Sequence, residues 1–217
     1  MIAGPRPLLR GYLHAVAAVL SVPGAGYLMA RSADDPPRLA ALSVYGVGLT
    51  LLFTASAAYH LRAWGQRMAR ILRRLDHASI FVLIAATHTP VAFVLLSGPW
   101  RAGVLLAVWL LAGASAIAIG AGVPLAREAR VAIYVAMGWV GGAAIFQADR
   151  PLPAEVLAAL LAGGLLYTAG AVLYALRRPE LWPRVFGYHE AFHLLTIVAA
   201  ALFYWLIAGY VLDAPRR

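Results

Sequence analysis

Seven apolar stretches, each of roughly spanning length, divide almost the whole sequence and constrain its fold more than any other feature. An α-helix needs about 20 consecutive apolar residues to cross the hydrocarbon core of a bilayer, and helices satisfy their own backbone hydrogen bonds there. The stretches run over Gly11–Ala30, Leu39–Tyr59, Leu75–Leu96, Ala102–Ala121, Val131–Phe146, Ala154–Leu176 and Ala191–Leu212. Because short loops join them, we predict an all-α membrane protein, a seven-transmembrane-helix bundle that forms a single domain over residues 1–217.

The composition excludes several classes of protein. The 217 residues are 63% hydrophobic, which is more than a soluble domain of this size needs. There is no cysteine, so disulfides, thiolate metal sites and cysteine nucleophiles are excluded. All 18 basic residues are arginine, and the absence of lysine excludes a retinal Schiff base. We attribute the net charge of +9 to arginines in the loops between spans and expect no nucleic-acid partner.

The distribution of arginine predicts the orientation of the bundle. With the N-terminus inside the cell, twelve of the 18 arginines fall on the cytoplasmic side and six on the external side. The segment Arg62–Arg74 contributes most to this difference. We therefore predict a cytoplasmic N-terminus and an external C-terminus in the inner (plasma) membrane. The first stretch lacks a small-x-small cleavage motif near its end, so we expect it to be retained as a helix.

Five polar residues stand out against this apolar background. Ser56 and His60 are four residues apart, as are His189 and His193, and Asp76 lies at the start of the third stretch. Residues at i and i+4 of a helix share one face, with Cβ atoms about 5–6 Å apart. The histidine pair can therefore offer two imidazoles to one metal ion. Ionisable groups in membrane helices are costly and indicate a functional site by default.

The predicted topology brings these five residues to one level of the membrane. The second stretch ends inside near His60, the third begins inside near Asp76, and the seventh begins inside near His189. A third imidazole and a carboxylate beside the histidine pair would complete a metal site of the catalytic type, with an open position. At the start of its helix, Asp76 would also be stabilised by the helix dipole.

Each of these polar residues also has a possible structural role that requires no metal or catalysis. A membrane serine such as Ser56 commonly bonds the carbonyl of residue i−4. Asp76 follows two arginines and could be a helix cap or part of a surface ion pair. Glu190 lies about 100° round the helix from His189, so we interpret it as an interface or loop-facing group. We interpret three further histidines as structural: His14, His77 and His88.

Three segments carry a family resemblance. They are Ser56-Ala-Ala-Tyr-His60, Arg73-Arg-Leu-Asp76-His77-Ala-Ser-Ile-Phe81 and Phe186-Gly-Tyr-His189-Glu-Ala-Phe-His193. Over nearly its whole length the chain resembles the bacterial haemolysin III family, the prokaryotic branch of the progestin and adipoQ receptors. That superfamily is similar to membrane-embedded metal-dependent hydrolases, including alkaline ceramidases. The third span departs from a common family pattern, because Thr87-His88-Thr89-Pro90 stands where Thr-Tyr-Thr-Pro is usual.

The resemblance implies a zinc ion near the cytoplasmic face, bound by His60, His189 and His193. It also implies that Asp76 and Ser56 stand beside the water that zinc activates, which makes them the candidate catalytic residues. From these roles we expect hydrolysis of a lipid amide or ester, with Asp76 moving a proton and Ser56 donating a hydrogen bond to the water or to the developing oxyanion. The expected cofactor is Zn²⁺, and the expected partners are membrane lipids and a lipid substrate or ligand.

Two other functions fit the sequence. A receptor or signalling protein without catalysis would use zinc structurally, usually with four protein ligands. Direct bonding of Asp76 to the metal would favour this function, whereas a water between them would favour the hydrolase. A haemolysin-like pore is the other alternative, although no span shows the regular polar stripe that lines a water-filled channel.

Overall fold

A computed structural model of the chain describes residues 9–182 and 185–214. Within these ranges it contains seven helices that are long and apolar enough to cross a membrane, which confirms the predicted all-α seven-helix bundle. The helices are α1 Tyr12–Arg31, α2 Pro36–Leu61, α3 Gln66–Leu95, α4 Gly98–Ala121, α5 Arg127–Ala144, α6 Ala154–Leu176 and α7 Tyr188–Leu206. The orientation of the termini stays a prediction. Four arginines used to derive it lie outside the described residues: Arg6, Arg184, Arg216 and Arg217.

Several helices extend beyond the predicted apolar stretches, because apolarity marks hydrocarbon depth and not the helix ends. α2 begins at Pro36, whose fixed backbone angle suits a first turn, and the Asp35 side chain accepts a hydrogen bond from the Arg38 amide at 3.2 Å. α3 begins at Gln66, well before the stretch predicted from Leu75, and its added turns are rich in arginine. These turns carry α3 beyond the apolar layer on the side where the candidate site lies.

Small residues set the closest approaches between helices. α1 packs along α2, and α2 packs along α3. A Cβ atom on Gly46 would lie 2.7 Å from the Cβ of Ala25 on α1, and one on Gly48 would lie 2.6 Å from the Cβ of Ala86 on α3. Such close backbone approach provides the dispersion contacts that hold helices together in lipid. α2 is therefore packed tightly between α1 and α3, and its last turn lies close to both of these helices.

A buried arginine joins α2 to α7 at the end of the bundle far from the candidate site. Arg38 is 7% exposed, and its guanidinium donates to the carbonyl of Leu212 and, at 2.6 Å, to that of Ala214. It also pairs with Asp35, with 3.3 Å between Nε and Oδ2. Carbonyls at a helix C-terminus lack intrahelical partners, so this contact satisfies them. It also fixes the position of α7 along α2, where a turn of π-helix, Ile207–Val211, follows α7.

Four helices come together at the opposite end of the bundle. These are the start of α1, the end of α2, the first half of α3 and the start of α7. His14 on α1 stacks on His193 of α7, and His60 on α2 lies 3.7 Å from Asp76 on α3. The predicted convergence of residues from α2, α3 and α7 is therefore observed, with α1 as an additional contributor.

Cysteine labelling measures the predicted orientation, since the chain has no native cysteine. Gln66→Cys, exposed at the start of α3, should resist a membrane-impermeant maleimide in intact cells and react after permeabilisation. Ala33→Cys, exposed between α1 and α2, should react from outside and is the matched control. Labelling of Gln66→Cys in intact cells would contradict the orientation and place the candidate site on the external side.

Candidate metal centre

Three histidine side chains meet where α2 ends and α7 begins. His60 lies in the last turn of α2, and His189 and His193 lie on successive turns of α7. Their potential ligand nitrogens all lie within 4.8 Å of one another. Nε2 of His60 is 3.2 Å from Nε2 of His189. The i, i+4 spacing on α7 supplies two of the rings, and the packing of α2 against the start of α7 supplies the third.

The donor set of this cluster fits zinc. Two nitrogens on a tetrahedral zinc ion, with bonds of about 2.0–2.1 Å, lie about 3.3 Å apart. The separation of 3.2 Å between His60 and His189 is close to that value. Three imidazoles without a thiolate are also a common catalytic zinc set and leave one coordination position open. The three histidines can therefore hold one zinc ion.

Asp76 and Ser56 lie next to the three histidines. Oδ2 of Asp76 is 3.7 Å from Nε2 of His60, but the carboxylate is not one of the mutually close ligand atoms. Oγ of Ser56 lies beside the Asp76 carboxyl group without a hydrogen bond of normal geometry, and it has no other partner in the described part of the chain. The carbonyl bond expected for a purely structural serine is therefore missing, and the hydroxyl is available to a ligand.

One sequence-based explanation of Asp76 is wrong. α3 begins at Gln66, so Asp76 lies in its third turn and not at the helix N-terminus. Helix dipole and capping effects act on the first turn, so they do not explain a carboxyl group here. The group is instead buried between α2 and the cavity described below, with His60 and Ser56 as its polar neighbours.

Glu190 is an interface group, as interpreted from the sequence, and contacts Arg10 just before α1 and Gly187 just before α7. Its side chain is fully buried and forms an ion pair with Arg10, with 2.8 Å between Oε1 and Nε. Its Oε2 accepts a hydrogen bond from the Gly187 amide at 2.9 Å. A glutamate three residues after the residue that precedes a helix is a known capping signal, so this contact was readable in the sequence. Glu190 therefore fixes the turn that presents His189.

His14 is the residue that the sequence interpretation underestimated. It is 2% exposed, and its ring stacks on that of His193 with 3.8 Å between centroids and 10° between planes. The signal for this contact was available, because the predicted topology places His14 at the same membrane level as the other histidines. His14 therefore belongs to the centre, although it is not one of the three mutually close ligands.

His88 has the structural role that the sequence interpretation gave it. Its Nδ1 donates to the carbonyl of Ile84 at 2.8 Å, and its Nε2 accepts from the Gly141 amide at 3.1 Å, which joins α3 to α5. The side chains of Thr87 and Thr89 bond the carbonyls four residues earlier in the same way. This run of polar contacts precedes Pro90, which lacks an amide hydrogen.

A cavity of about 450 Å³ opens directly beside the histidine cluster. His189, His193, Asp76 and Ser56 line one end of it, and its wall continues along α3 as far as Leu96. The other helices contribute the remaining walls, mainly α5, α6 and α7 with Val104 of α4, and most of the lining surface is apolar. The volume lies within the range of small-molecule sites, and the long apolar shape suits a hydrocarbon chain.

Comparisons with known proteins agree with this architecture. The sequence model of a family described as Haemolysin-III related matches residues 3–204. The chain is 30% identical to Hemolysin-3 of Bacillus cereus over 201 residues, which cover 92% of this chain and 89% of that protein. It is 26% identical to the Monocyte to macrophage differentiation factor of Homo sapiens over 94% of this chain and 84% of that protein. It is 32% identical to the Heptahelical transmembrane protein ADIPOR2 of Oryza sativa subsp. japonica, over 74% and 77% of the two chains.

The cluster predicts a bound divalent metal, preferably zinc. Elemental analysis of the purified protein should give about one ion per chain. His193→Ala should lower both the metal content and the melting temperature, because a ligand that binds the folded state stabilises it by mass action. His77→Ala, next to the centre but outside the three-nitrogen group, should retain the metal. A metal-free wild-type protein whose thermal stability does not respond to added zinc would contradict the prediction.

Proposed function

The chain belongs to the haemolysin III-related family of membrane proteins, and from its site we propose that it is a membrane-embedded, zinc-dependent hydrolase that cleaves a lipid amide or ester. The observation that carries this proposal is the direct opening of the three-histidine cluster onto a long apolar cavity. A purely structural zinc site would have no need of such a cavity. A site that cleaves a lipid needs both the polar centre and an apolar space that accepts the hydrocarbon chain.

The three histidines would hold the metal, and the neighbouring side chains would do the proton chemistry. Bound zinc supplies Lewis acidity, which polarises a carbonyl oxygen and makes a water molecule acidic near neutral pH. Asp76 would accept the proton of the attacking water and deliver it to the departing amine or alcohol. Ser56, whose buried hydroxyl has no partner of normal geometry, would donate a hydrogen bond to the carbonyl oxygen as negative charge develops on it.

Arg130 on α5 would bind the polar head of the lipid. It lines the cavity close to Asp76 and His77. Its Nε atom is buried and has no hydrogen-bond partner among the described residues. An unpaired buried donor is costly, and a ligand oxygen would satisfy it. Because guanidinium groups bind carboxylate and phosphate oxygens most strongly, an anionic head group fits this position best.

The apolar lining of the cavity argues against the haemolysin-like pore. Pores that conduct ions line their path with carbonyls or charged side chains. Here Asp76 and Arg130 lie at one end of the cavity, whereas His88 and Thr168 farther along it are hydrogen-bonded within the bundle. The walls towards Leu95 and Val104 are hydrocarbon. Such walls favour a lipid chain over a column of water.

Asp76→Asn separates catalysis from a structural role of the metal. The change retains the size of the side chain but removes the base, so lipid hydrolysis should fall by roughly 10²- to 10⁴-fold. Zinc content should stay unchanged, because all three imidazoles remain. The measurement is release of free fatty acid from ceramides and phospholipids by purified protein in lipid vesicles, together with elemental analysis.

His189→Ala is the matched comparison and should lose metal and activity together. Loss of zinc from Asp76→Asn would indicate that the carboxylate binds the metal directly, which favours a zinc-stabilised receptor. Equal background release by wild type and Asp76→Asn across the whole panel would reject the hydrolase and leave the metal site intact.

Arg130→Gln should reduce selectivity for lipids with an anionic head. Hydrogen bonds to a charged group contribute about 1.5–3 kcal/mol, so KM for ceramide phosphate should rise by roughly 10- to 100-fold with little change in kcat. Cleavage of uncharged ceramide should change much less. Arg127→Gln is the control, since Arg127 lies one turn earlier on α5 and contacts Tyr174. Equal losses on both lipids would contradict the assignment.

A further inference from the structure

The start of α1 is fixed against both helices that carry the histidine cluster. Arg10 forms the partly buried ion pair with Glu190 at the start of α7. Gly11 adopts a φ of 91° and approaches α2 so closely that a Cβ atom would lie 3.0 Å from the Cβ of His60 and from the amide nitrogen of Leu61. The positive φ and the lack of space both require glycine here. α1 therefore begins at a position set by the two ligand-bearing helices.

The next turn of α1 places an imidazole directly on one of the three ligands. The rings of His14 and His193 are nearly parallel and 3.8 Å apart at their centroids. Phe53 on α2 contacts His14 edge-on at 5.1 Å, so the five-membered ring occupies a narrow gap between α2 and α7. The His193 ring cannot tilt towards α1 without displacing His14.

Hydrogen bonding does not account for the burial of His14. The ring lies against the main chain of His193, but neither of its nitrogens makes a hydrogen bond of normal geometry with the described residues. Burying unpaired polar atoms costs free energy, and in native proteins such atoms call for a specific explanation. The stacked contact with His193 provides one.

A metal-binding histidine is usually oriented by a hydrogen bond, and Nδ1 of His193 makes none with the described residues. Such a residue ordinarily donates its second ring N–H to a carboxylate, a carbonyl or water, which fixes the plane of the ring. Nδ1 of His193 is buried and has no hydrogen-bond partner in residues 9–182 and 185–214. The parallel ring of His14 is nearer to His193 than the rings of His60, His189 and Phe192, and it restrains the tilt of His193.

We propose that His14 is a positioning residue of the metal centre, which holds the His193 ring in its ligating orientation by parallel stacking. The proposal rests on the three-histidine metal site proposed above. Arg10 and Gly11 support it because they fix α1 against α7 and α2. Outer contacts of this kind commonly change metal affinity by about 10- to 100-fold when they are removed.

The experiment compares two substitutions of similar bulk. His14→Phe retains a flat ring that can stack, and His14→Leu fills the space without a planar face. Full-length protein in lipid nanodiscs is loaded with Co²⁺, whose visible absorption reports the geometry of the ligands, and the rate of Co²⁺ release to a chelator is measured. His14→Leu should shift the cobalt bands and release the metal roughly 10- to 100-fold faster, whereas His14→Phe should remain close to wild type.

Leu28→Ala is the control for general destabilisation. Leu28 is fully buried on the same helix, distant from the centre, and its truncation should lower the melting temperature without moving the cobalt bands. If His14→Leu does not fold, His14→Ala replaces it. Unchanged bands and release in His14→Leu would overturn the inference, as would equal effects of His14→Leu and His14→Phe. A wild-type protein that binds no Co²⁺ or Zn²⁺ would instead reject the metal site itself.

Discussion

The absence of water from the bilayer core is the constraint on which the whole structure depends. Backbone groups in hydrocarbon must bond within their own helix, so seven apolar stretches become seven helices. The same constraint makes every polar side chain at membrane depth expensive, and most of them are satisfied by carbonyls one turn away, as Thr87 and Thr196 are. A cluster of buried polar atoms without hydrogen-bond partners therefore indicates a binding site and not a requirement of the fold.

Such atoms are concentrated around the histidine cluster and the adjoining end of the cavity. Ser56, His14, His193 and Arg130 each have a buried atom without a hydrogen-bond partner in the described part of the chain. They come from four different helices, so no single local distortion explains them. Ser56 and Arg130 would be satisfied by a water and by the polar head of a lipid, and the apolar cavity beside them would hold the lipid chain. The proposed hydrolase is the function in which all of these features have a use.

The sequence predicted the fold well, because spanning length and apolarity are strong signals. It also predicted that Ser56, His60 and Asp76 meet the α7 histidines, since short loops and alternating direction fix which helix ends share a level. It did not predict the start of α3, because an arginine-rich helix continues past the apolar layer. It underestimated His14, whose stacking on His193 depends on how α1 is rotated against α7. Helix rotation is set by contacts such as those of Gly11 and Arg10, which hydropathy does not encode.

The centre combines residues that are far apart in the order of synthesis. His60 belongs to the second helix, whereas His189 and His193 belong to the last, 129 or more positions later. A ribosome that stops before α7 would leave six inserted helices with one of the three imidazoles and without the carbonyls of Leu212 and Ala214 that Arg38 binds. Such a fragment would lack two of the three candidate metal ligands, and Arg38 would lose the carbonyls that it binds. The proposed metal site would therefore form only in a chain whose synthesis has been completed.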